Sequence, residues 1–314
     1  MNSLKQILQN RDTVGLITPA GFINRQKLDI AVRNLQFFGL NAFYYDSVLE
    51  KYGYLAGDDK SRLNELHKMY ENRNIKAIIC VRGGYGTMRL LDKINYDLIK
   101  KNPKPMIGYS DITALINAIY KKTKIPGFHG IVGSGKFTEY TSENFKKVFF
   151  ETTDKLNIDI SENHKKDAYV INSGKVSGKL VGGNLSLIMS TIGTPFEISF
   201  KNKIVFLEDI AEAPYKIDRM LTQLISAGKF KHVKGIIFGR FAGCEPEAEE
   251  KENSFILKEI ILDRIKPLKI SAVYGFSFGH ISNQAIFPVG VKAYFNTDNF
   301  SISMKRKDIN QFFN

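Results

Sequence analysis

The chain has 314 residues and a mass of 35.6 kDa, too long for one small core and about right for two domains of roughly 100–200 residues each. Its 43% hydrophobic content, 25% charged content, 23 Phe and 14 Tyr exclude bulk disorder. The 45 basic and 32 acidic residues leave a net charge of +13, a field that favours acidic ligands. The basic residues are interleaved with acids rather than gathered in an arm, so no nucleic acid is expected as a partner, and the short KRK at Lys305 to Lys307 reads as a solvated tail. Cys80 and Cys244 lie far apart without a second Cys or His at ligand spacing, so neither a zinc site nor a disulfide framework is expected. The opening stretch MNSLKQILQNRDTVGLITPA lacks a signal-like apolar core, and no apolar run approaches the ~20 residues of a spanning helix. The expectation is a soluble cytoplasmic protein with no membrane partner.

Strand and helix signals alternate through the first 130 residues. Thr13 to Thr18 is a β-branched run, followed by Leu28, Ala31, Val32, Leu35 and Phe38 at helical spacing up to Gly39. Ala42 to Tyr45 reads as a strand, Asp58 to Tyr70 as a helix with Leu63, Leu66 and Tyr70 on one face, and Ile75 to Val81 as a fully buried strand. A glycine-rich turn, a short helix and the strand-like PMIG before Tyr109 come next. Such repetition predicts a parallel sheet with helices on both faces and a ligand crevice at the carboxyl ends of its strands. From about Thr138 the chain turns polar and reads as helix plus linker. Beyond it, Val170 to Leu180, Ile198 to Leu207, Gly235 to Phe241 and Phe287 to Met304 read as strands, with helices at Asn184 to Thr191, Ile217 to Ile225 and Phe255 to Ile265. The expected division is 1–150 as a parallel-sheet α/β domain, 151–168 as linker, and 169–314 as a mixed, strand-rich α/β domain.

Four segments could carry chemistry. Arg82-Gly83-Gly84-Tyr85-Gly86 follows the buried strand, and its glycines let main-chain N–H groups approach an anion closely; alone, it reads as a tight turn before it reads as a site. Gly108-Tyr109-Ser110-Asp111 opens an apolar helix after a strand, the setting of a nucleophile elbow, although Ser and Asp there are also common N-caps. His280, in Gly275-Phe276-Ser277-Phe278-Gly279-His280, sits just after a strand, with His129 as the rival base. Finally, the apolar strand Val205-Phe206-Leu207 ends in Glu208 and Asp209, with Glu212 one helical turn on. A hydroxyl, an imidazole and a carboxylate at strand ends are the minimal set for acyl transfer.

The order and wording of these segments resemble the serine LD-carboxypeptidases, in the peptidase family that also holds the microcin-C self-immunity peptidases. The matching strings include TPAG (Thr18 to Gly21), YLAGDDKSRLNEL (Tyr54 to Leu66), CVRGGYGTMRLL (Cys80 to Leu91) and PKPMIGYSDITALINAI (Pro103 to Ile119). They continue with FHG (Phe128 to Gly130), GKLVGGNLSLIMSTIGTP (Gly178 to Pro195), FLEDIAEAPYKIDRMLTQL (Phe206 to Leu224) and GFSFGHISNQAIFPVGVKA (Gly275 to Ala293). The resemblance implies a Rossmann-like amino domain carrying the nucleophile Ser110 and a carboxyl domain carrying the base His280 and the acid Glu208. Glu208 is preferred to Glu212 because it terminates the apolar strand. The oxyanion hole maps to the N–H groups of Gly84 and Asp111. The implied reaction removes D-alanine from a cytoplasmic murein tetrapeptide, after meso-diaminopimelate, without metal or organic cofactor, in a homodimer. Arg82 and Arg240 are candidates for drawing in the substrate's carboxylates.

Two other readings stand beside this one. The same chemistry serves a peptidyl-nucleotide hydrolase that confers self-immunity, and the absence of Trp leaves Phe, Tyr or Arg to stack a base. From another class, a non-enzymatic ligand or nucleic-acid binder would use the glycine-rich loop and the positive charge.

Overall fold

The computed structural model describes residues 5–313, so the first four residues of the opening stretch, and Asn314, lie outside the described residues. The first part of the chain runs β1 (Thr13–Ile17), α1 (Arg25–Phe37), β2 (Asn41–Phe43), α2 (Asp59–Glu71), β3 (Ile75–Cys80), α3 (Tyr96–Lys101), β4 (Met106–Gly108), α4 (Ile112–Thr123), β5 (Gly127–His129) and α5 (Glu139–Phe149). It continues with β6 (Lys155–Ile158), α6 (Glu162–Lys165), β7 (Tyr169–Asn172), β8 (Lys175–Asn184), α7 (Leu185–Thr191), β9 (Lys203–Ile210), α8 (Pro214–Ser226) and β10 (Gly235–Ala242). The last elements are α9 (Leu257–Ile265), β11 (Ser271–Gly279), β12 (Phe287–Val289), β13 (Lys292–Asn296), β14 (Ser301–Lys305) and α10 (Lys307–Asn310).

The expected α/β class, with a Rossmann-like parallel sheet and a mixed, strand-rich second sheet, is the observed one. The first sheet has the order β12-β5-β4-β3-β1-β2, parallel throughout except for β12, which runs antiparallel to β5. Strand order reverses between β1 and β3, since β2 lies on the far side of β1; this switch point is where the loops at the strands' carboxyl ends diverge and leave a crevice. The loops after β1 and β3 meet there, with Gly21 N–H donating to the Gly83 carbonyl at 3.2 Å. Helices α1 and α2 begin as their sequences require: Asn24 and Asp58 accept from the N–H groups of Lys27 and Ser61. Leu28, Ala31 and Leu35 form the buried stripe of α1.

The second sheet has the order β6-β14-β13-β8-β9-β10-β11-β7, with a parallel centre β8-β9-β10-β11 and antiparallel flanks. The run Val170 to Leu180, expected as one strand, is two strands separated near Gly174, β7 at one edge of the sheet and β8 in its interior. Phe287 to Met304 is three strands rather than one, with Gly290 at φ 91° turning the chain out of the first sheet and towards the second. The strand expected over Ile198 to Leu207 starts at Lys203 and extends to Ile210. Within 151–168, expected as linker, residues 155–158 pair with β14 at the sheet edge.

Glu65 of α2 is 3% exposed and accepts from the Thr18 N–H at 3.3 Å and the Ser47 hydroxyl at 3.0 Å. Burial raises its carboxyl to about 7, against those two hydrogen bonds. The native state therefore holds this proton over a range where the unfolded chain has released it, and the resulting stabilisation is lost as pH rises through about 7. Glu65→Gln is expected to gain stability relative to the parent chain as pH rises from about 5 to about 8. Urea midpoints across that range check this; a difference that does not change with pH would contradict it.

Candidate active site

Both sheets present their carboxyl strand ends to one region. In the first, β4 ends at Gly108 and the chain turns sharply into α4 with Ser110 at φ 64°, a left-handed conformation that costs about 1–3 kcal/mol in a non-glycine residue. Asp111 stands at the N-cap of helix α4 but its side chain makes no capping bond, so the capping explanation of the Ser-Asp pair does not account for it. The strained turn instead lifts the Ser110 side chain, half-buried, above the sheet edge. Gly83 lies directly against it: a Cβ there would sit 2.8 Å from Ser110 Cβ and 3.0 Å from its Oγ. At Gly84, φ 119° gives a conformation that only glycine adopts readily. Among the described residues, the main-chain N–H groups of Gly84 and Asp111 donate to no protein acceptor.

In the second sheet, β9 and β11 deliver a carboxylate and an imidazole. His280 Nδ1 lies 2.9 Å from Glu208 Oε2; the Glu208 side chain is fully buried and that of His280 is 14% exposed. Gly279 makes this approach possible, because at φ 112° a Cβ would lie 2.8 Å from the Arg240 carbonyl and 3.0 Å from Glu208 Oε2. Nδ1 held by a carboxylate leaves Nε2 as the basic nitrogen. The His280 ring meets the Tyr109 ring edge to face, with centroids 4.8 Å apart, so the imidazole stands beside the residue that precedes Ser110.

The structure also separates the rivals. Glu212 pairs with Lys216 at 3.2 Å. Asp209 accepts from Asn184 Nδ2 at 2.9 Å and from the Ser186 hydroxyl at 2.8 Å. His129 is 1% exposed, with neither ring nitrogen hydrogen-bonded, and packs near Phe206 and Phe278. Burial, with a smaller contribution from His280, lowers it to about 3, so it stays neutral and is a poor base. Of the two arginines, Arg82 lies beside the glycine loop and donates to the Phe22 carbonyl at 3.0 Å, whereas Arg240 pairs with Asp167 at 2.9 Å beside the Tyr274 ring.

Residues outside the sequence-derived set, together with the Asp111 carboxylate, hold the region together. Asn117 of α4 donates to the Gly182 carbonyl at 2.9 Å, and Thr113 Oγ1 accepts from the Asn184 N–H at 3.0 Å, which ties the helix after Ser110 to the strand beside β9. Arg62, Thr87 and the Asp111 carboxylate form a buried network beneath the glycine loop. A charged residue at the buried face of an amphipathic helix was the one available signal for Arg62. Nothing in the sequence marks the others.

Gly83→Ala is sterically informative because its backbone is not in the left-handed region. The variant is expected to fold, with Ser110 displaced by the new methyl group and its reaction with a fluorophosphonate slowed by about 10²-fold, the order associated with an ångström-scale misplacement. An unchanged rate in the folded variant would show that Gly83 does not shape the site.

Comparison with known proteins agrees along most of the chain. Residues 14–130 match the LD-carboxypeptidase N-terminal domain and residues 177–295 the LD-carboxypeptidase C-terminal domain. A probable murein peptide carboxypeptidase of Bacillus subtilis is 40% identical over 302 residues, covering 95% of this chain and 92% of its own. Among solved structures, a muramoyltetrapeptide carboxypeptidase from Oxalobacter formigenes superposes with a TM-score of 0.81 at 26% identity, over 93% of this chain and 97% of its own. An MccF-like protein from Bacillus anthracis gives a TM-score of 0.83 at 28% identity, over 95% of this chain and 98% of its own. With both domains matched in order, the chain belongs to the LD-carboxypeptidase family of serine peptidases.

Proposed function

We propose that this carboxypeptidase removes the terminal D-alanine of murein tetrapeptides in cytoplasmic peptidoglycan recycling, by acyl transfer through Ser110, His280 and Glu208. The observation that carries the reading is the His280–Glu208 contact at 2.9 Å, made by a fully buried carboxylate, with the imidazole against Tyr109 next to the strained Ser110 turn. Glu208 holds the tautomer in which Nε2 is basic and stabilises the imidazolium. As the Ser110 hydroxyl attacks the diaminopimelate carbonyl, its proton passes to His280 Nε2, and the carbonyl oxygen becomes an oxyanion facing the N–H groups of Gly84 and Asp111. Collapse breaks the C–N bond, His280 protonates the departing D-alanine amine, and water activated by the same nitrogen hydrolyses the acyl-enzyme.

The substrate's carboxylates suit the net charge of +13, and Arg82 packs beside the glycine loop, where a Cβ on Gly84 would lie 3.6 Å from its Nη2. Arg240 remains a second candidate for those carboxylates. Cys80 and Cys244, both buried and not joined in a disulfide, suit a reducing compartment. The peptidyl-nucleotide reading has one feature in its favour: Tyr54 and Tyr85, exposed and edge to face at 5.7 Å, stand next to Gly84 where a base could stack.

Incubation with the free tetrapeptide, its L-Ala-terminated isomer and a peptidyl sulfamoyl adenosine separates these readings. Release of D-alanine from the first substrate alone is expected, with kcat lowered by about 10⁶ in Ser110→Ala and by about 10⁴ in Glu208→Gln. Turnover of the adenosine compound alone would move the function to self-immunity, and full activity in Ser110→Ala would remove the mechanism. Arg82→Ala and Arg240→Ala are expected to raise KM with little change in kcat; unchanged KM would remove the corresponding arginine's role.

A further inference from the structure

The glycine loop carries one proposed oxyanion donor and the Ser110 turn carries the other, so their separation must be fixed. On one side of Gly84 the loop is held by the Gly21 N–H, which donates to the Gly83 carbonyl at 3.2 Å. On the other side, Thr87 N–H donates to Asp111 Oδ2 at 2.8 Å, and the Thr87 hydroxyl donates to the Asp111 main-chain carbonyl at 2.7 Å. Thr87 is fully buried and Asp111 is 1% exposed.

Beneath them, Arg62 Nη1 reaches the carbonyls of Pro19 at 2.6 Å and Gly86 at 2.9 Å, while its Nη2 donates to Asp59 Oδ1 at 2.5 Å. Gly86 permits that approach, since at φ 136° a Cβ would lie 2.7 Å from Arg62 Nη1. The network Asp59, Arg62, Gly86, Thr87, Asp111 therefore joins the loops after β1 and β3 to the turn after β4.

A buried carboxylate is costly unless hydrogen-bonded, and at the start of α4 the nearest donors are ordinarily the helix's own N–H groups. Asp111 makes no such cap. Its carboxylate reaches across 24 residues to Thr87 instead. We propose that Asp111 is a positioning residue that acts through Thr87: its carboxylate clamps the glycine loop against the nucleophile turn, so that the Gly84 N–H and its own N–H converge on one oxygen. This rests on the oxyanion assignment above. Donors aimed at a developing oxyanion act on the transition state more than on the bound substrate, so a loosened clamp lowers kcat and leaves KM nearly unchanged.

The test uses the full chain with Asp111→Ala, Asp111→Asn and Thr87→Val. Each is assayed on the tetrapeptide, with active sites counted by fluorophosphonate titration, and with a peptide aldehyde that forms a tetrahedral adduct. In Asp111→Ala, kcat per titrated site is expected to fall about 10- to 100-fold, less than the ~10²–10³ of outright donor loss. KM should stay within about threefold, and aldehyde affinity should weaken by the same factor as kcat/KM. Asp111→Asn, which keeps an acceptor oxygen for Thr87, should recover most of the loss, and Thr87→Val should show a smaller loss of the same pattern. A merely structural role would reduce the titrated fraction and leave kcat per site and aldehyde affinity intact, which overturns the proposal. If Asp111→Ala does not fold, Asp111→Ser, whose side chain is too short to keep the bond from the Thr87 N–H, takes its place, and parental kcat per site and aldehyde affinity in it overturn the proposal equally. A Ser110→Ala protein that still turns over would instead overturn the site assignment itself, whatever the Asp111 variants do.

Discussion

Helix α4 rests directly on the main chain of β8, and the rest of the site takes its geometry from that contact. The strand supplies a pair of glycines at the crossing. A Cβ on Gly183 would lie 2.6 Å from the Thr113 side chain, and one on Gly182 would lie 1.9 Å from the Phe206 carbonyl. With the glycines in place, the helix that starts at the Ser110 turn bonds to β8 through Asn117 and Thr113. In the next strand Glu208 sits opposite Asn184. The path from the serine to the carboxylate thus passes through one helical turn and two paired strands, without a flexible link. Groups built on such elements hold a productive arrangement better than groups on loops.

The carboxylate itself shows how the site is defended against water. Glu208 is fully buried, and its one hydrogen-bonded oxygen faces His280. Removing the imidazole would leave this buried carboxylate oxygen without its hydrogen-bond partner, a loss of about 1–3 kcal/mol or more. The loop beyond His280 is fastened to α5, where Thr141 Oγ1 donates to the Ser282 carbonyl and accepts from the Gln284 N–H. A strand from the far end of the chain, β12, closes the edge of the first sheet next to His129. Both halves of the chain therefore contribute to each other's structure as well as to the site.

Much of this was legible in the sequence, for identifiable reasons. Periodicity gave α1, α2 and α4, because each has a single buried stripe or an apolar run long enough to show it. Short continuous β-branched or apolar runs gave β1 and β3, which are flanked by turn residues. The later strands were harder to read. Residues 287–304 carry a turn signal at Gly290, where the chain passes from β12 in one sheet to β13 in the other, and a second at Asn296 to Asn299, between β13 and β14; the single strand expected there passed over both. β5 is only three residues long, too short for a pattern to show, and no strand was expected there. The residues proposed for catalysis stood out because polar groups interrupt or follow apolar strands there. The supports did not: Thr87, Asn117 and Thr113 look like ordinary polar residues until the fold brings partners from 24 to 71 positions away. Gly279, Gly182 and Gly183 read as loop residues, yet their value is steric and arises only when another backbone arrives.

The central claim is that a hydroxyl from the first sheet and an imidazole from the second form one reacting pair. Peptide mapping by mass spectrometry after brief exposure to a fluorophosphonate tests it most directly, comparing the parent chain with His280→Ala. One adduct, on Ser110, formed rapidly in the parent and slowed by several orders of magnitude without the imidazole, is the result this account predicts. An adduct on another residue, or equal labelling of Ser110 in both proteins, would contradict it.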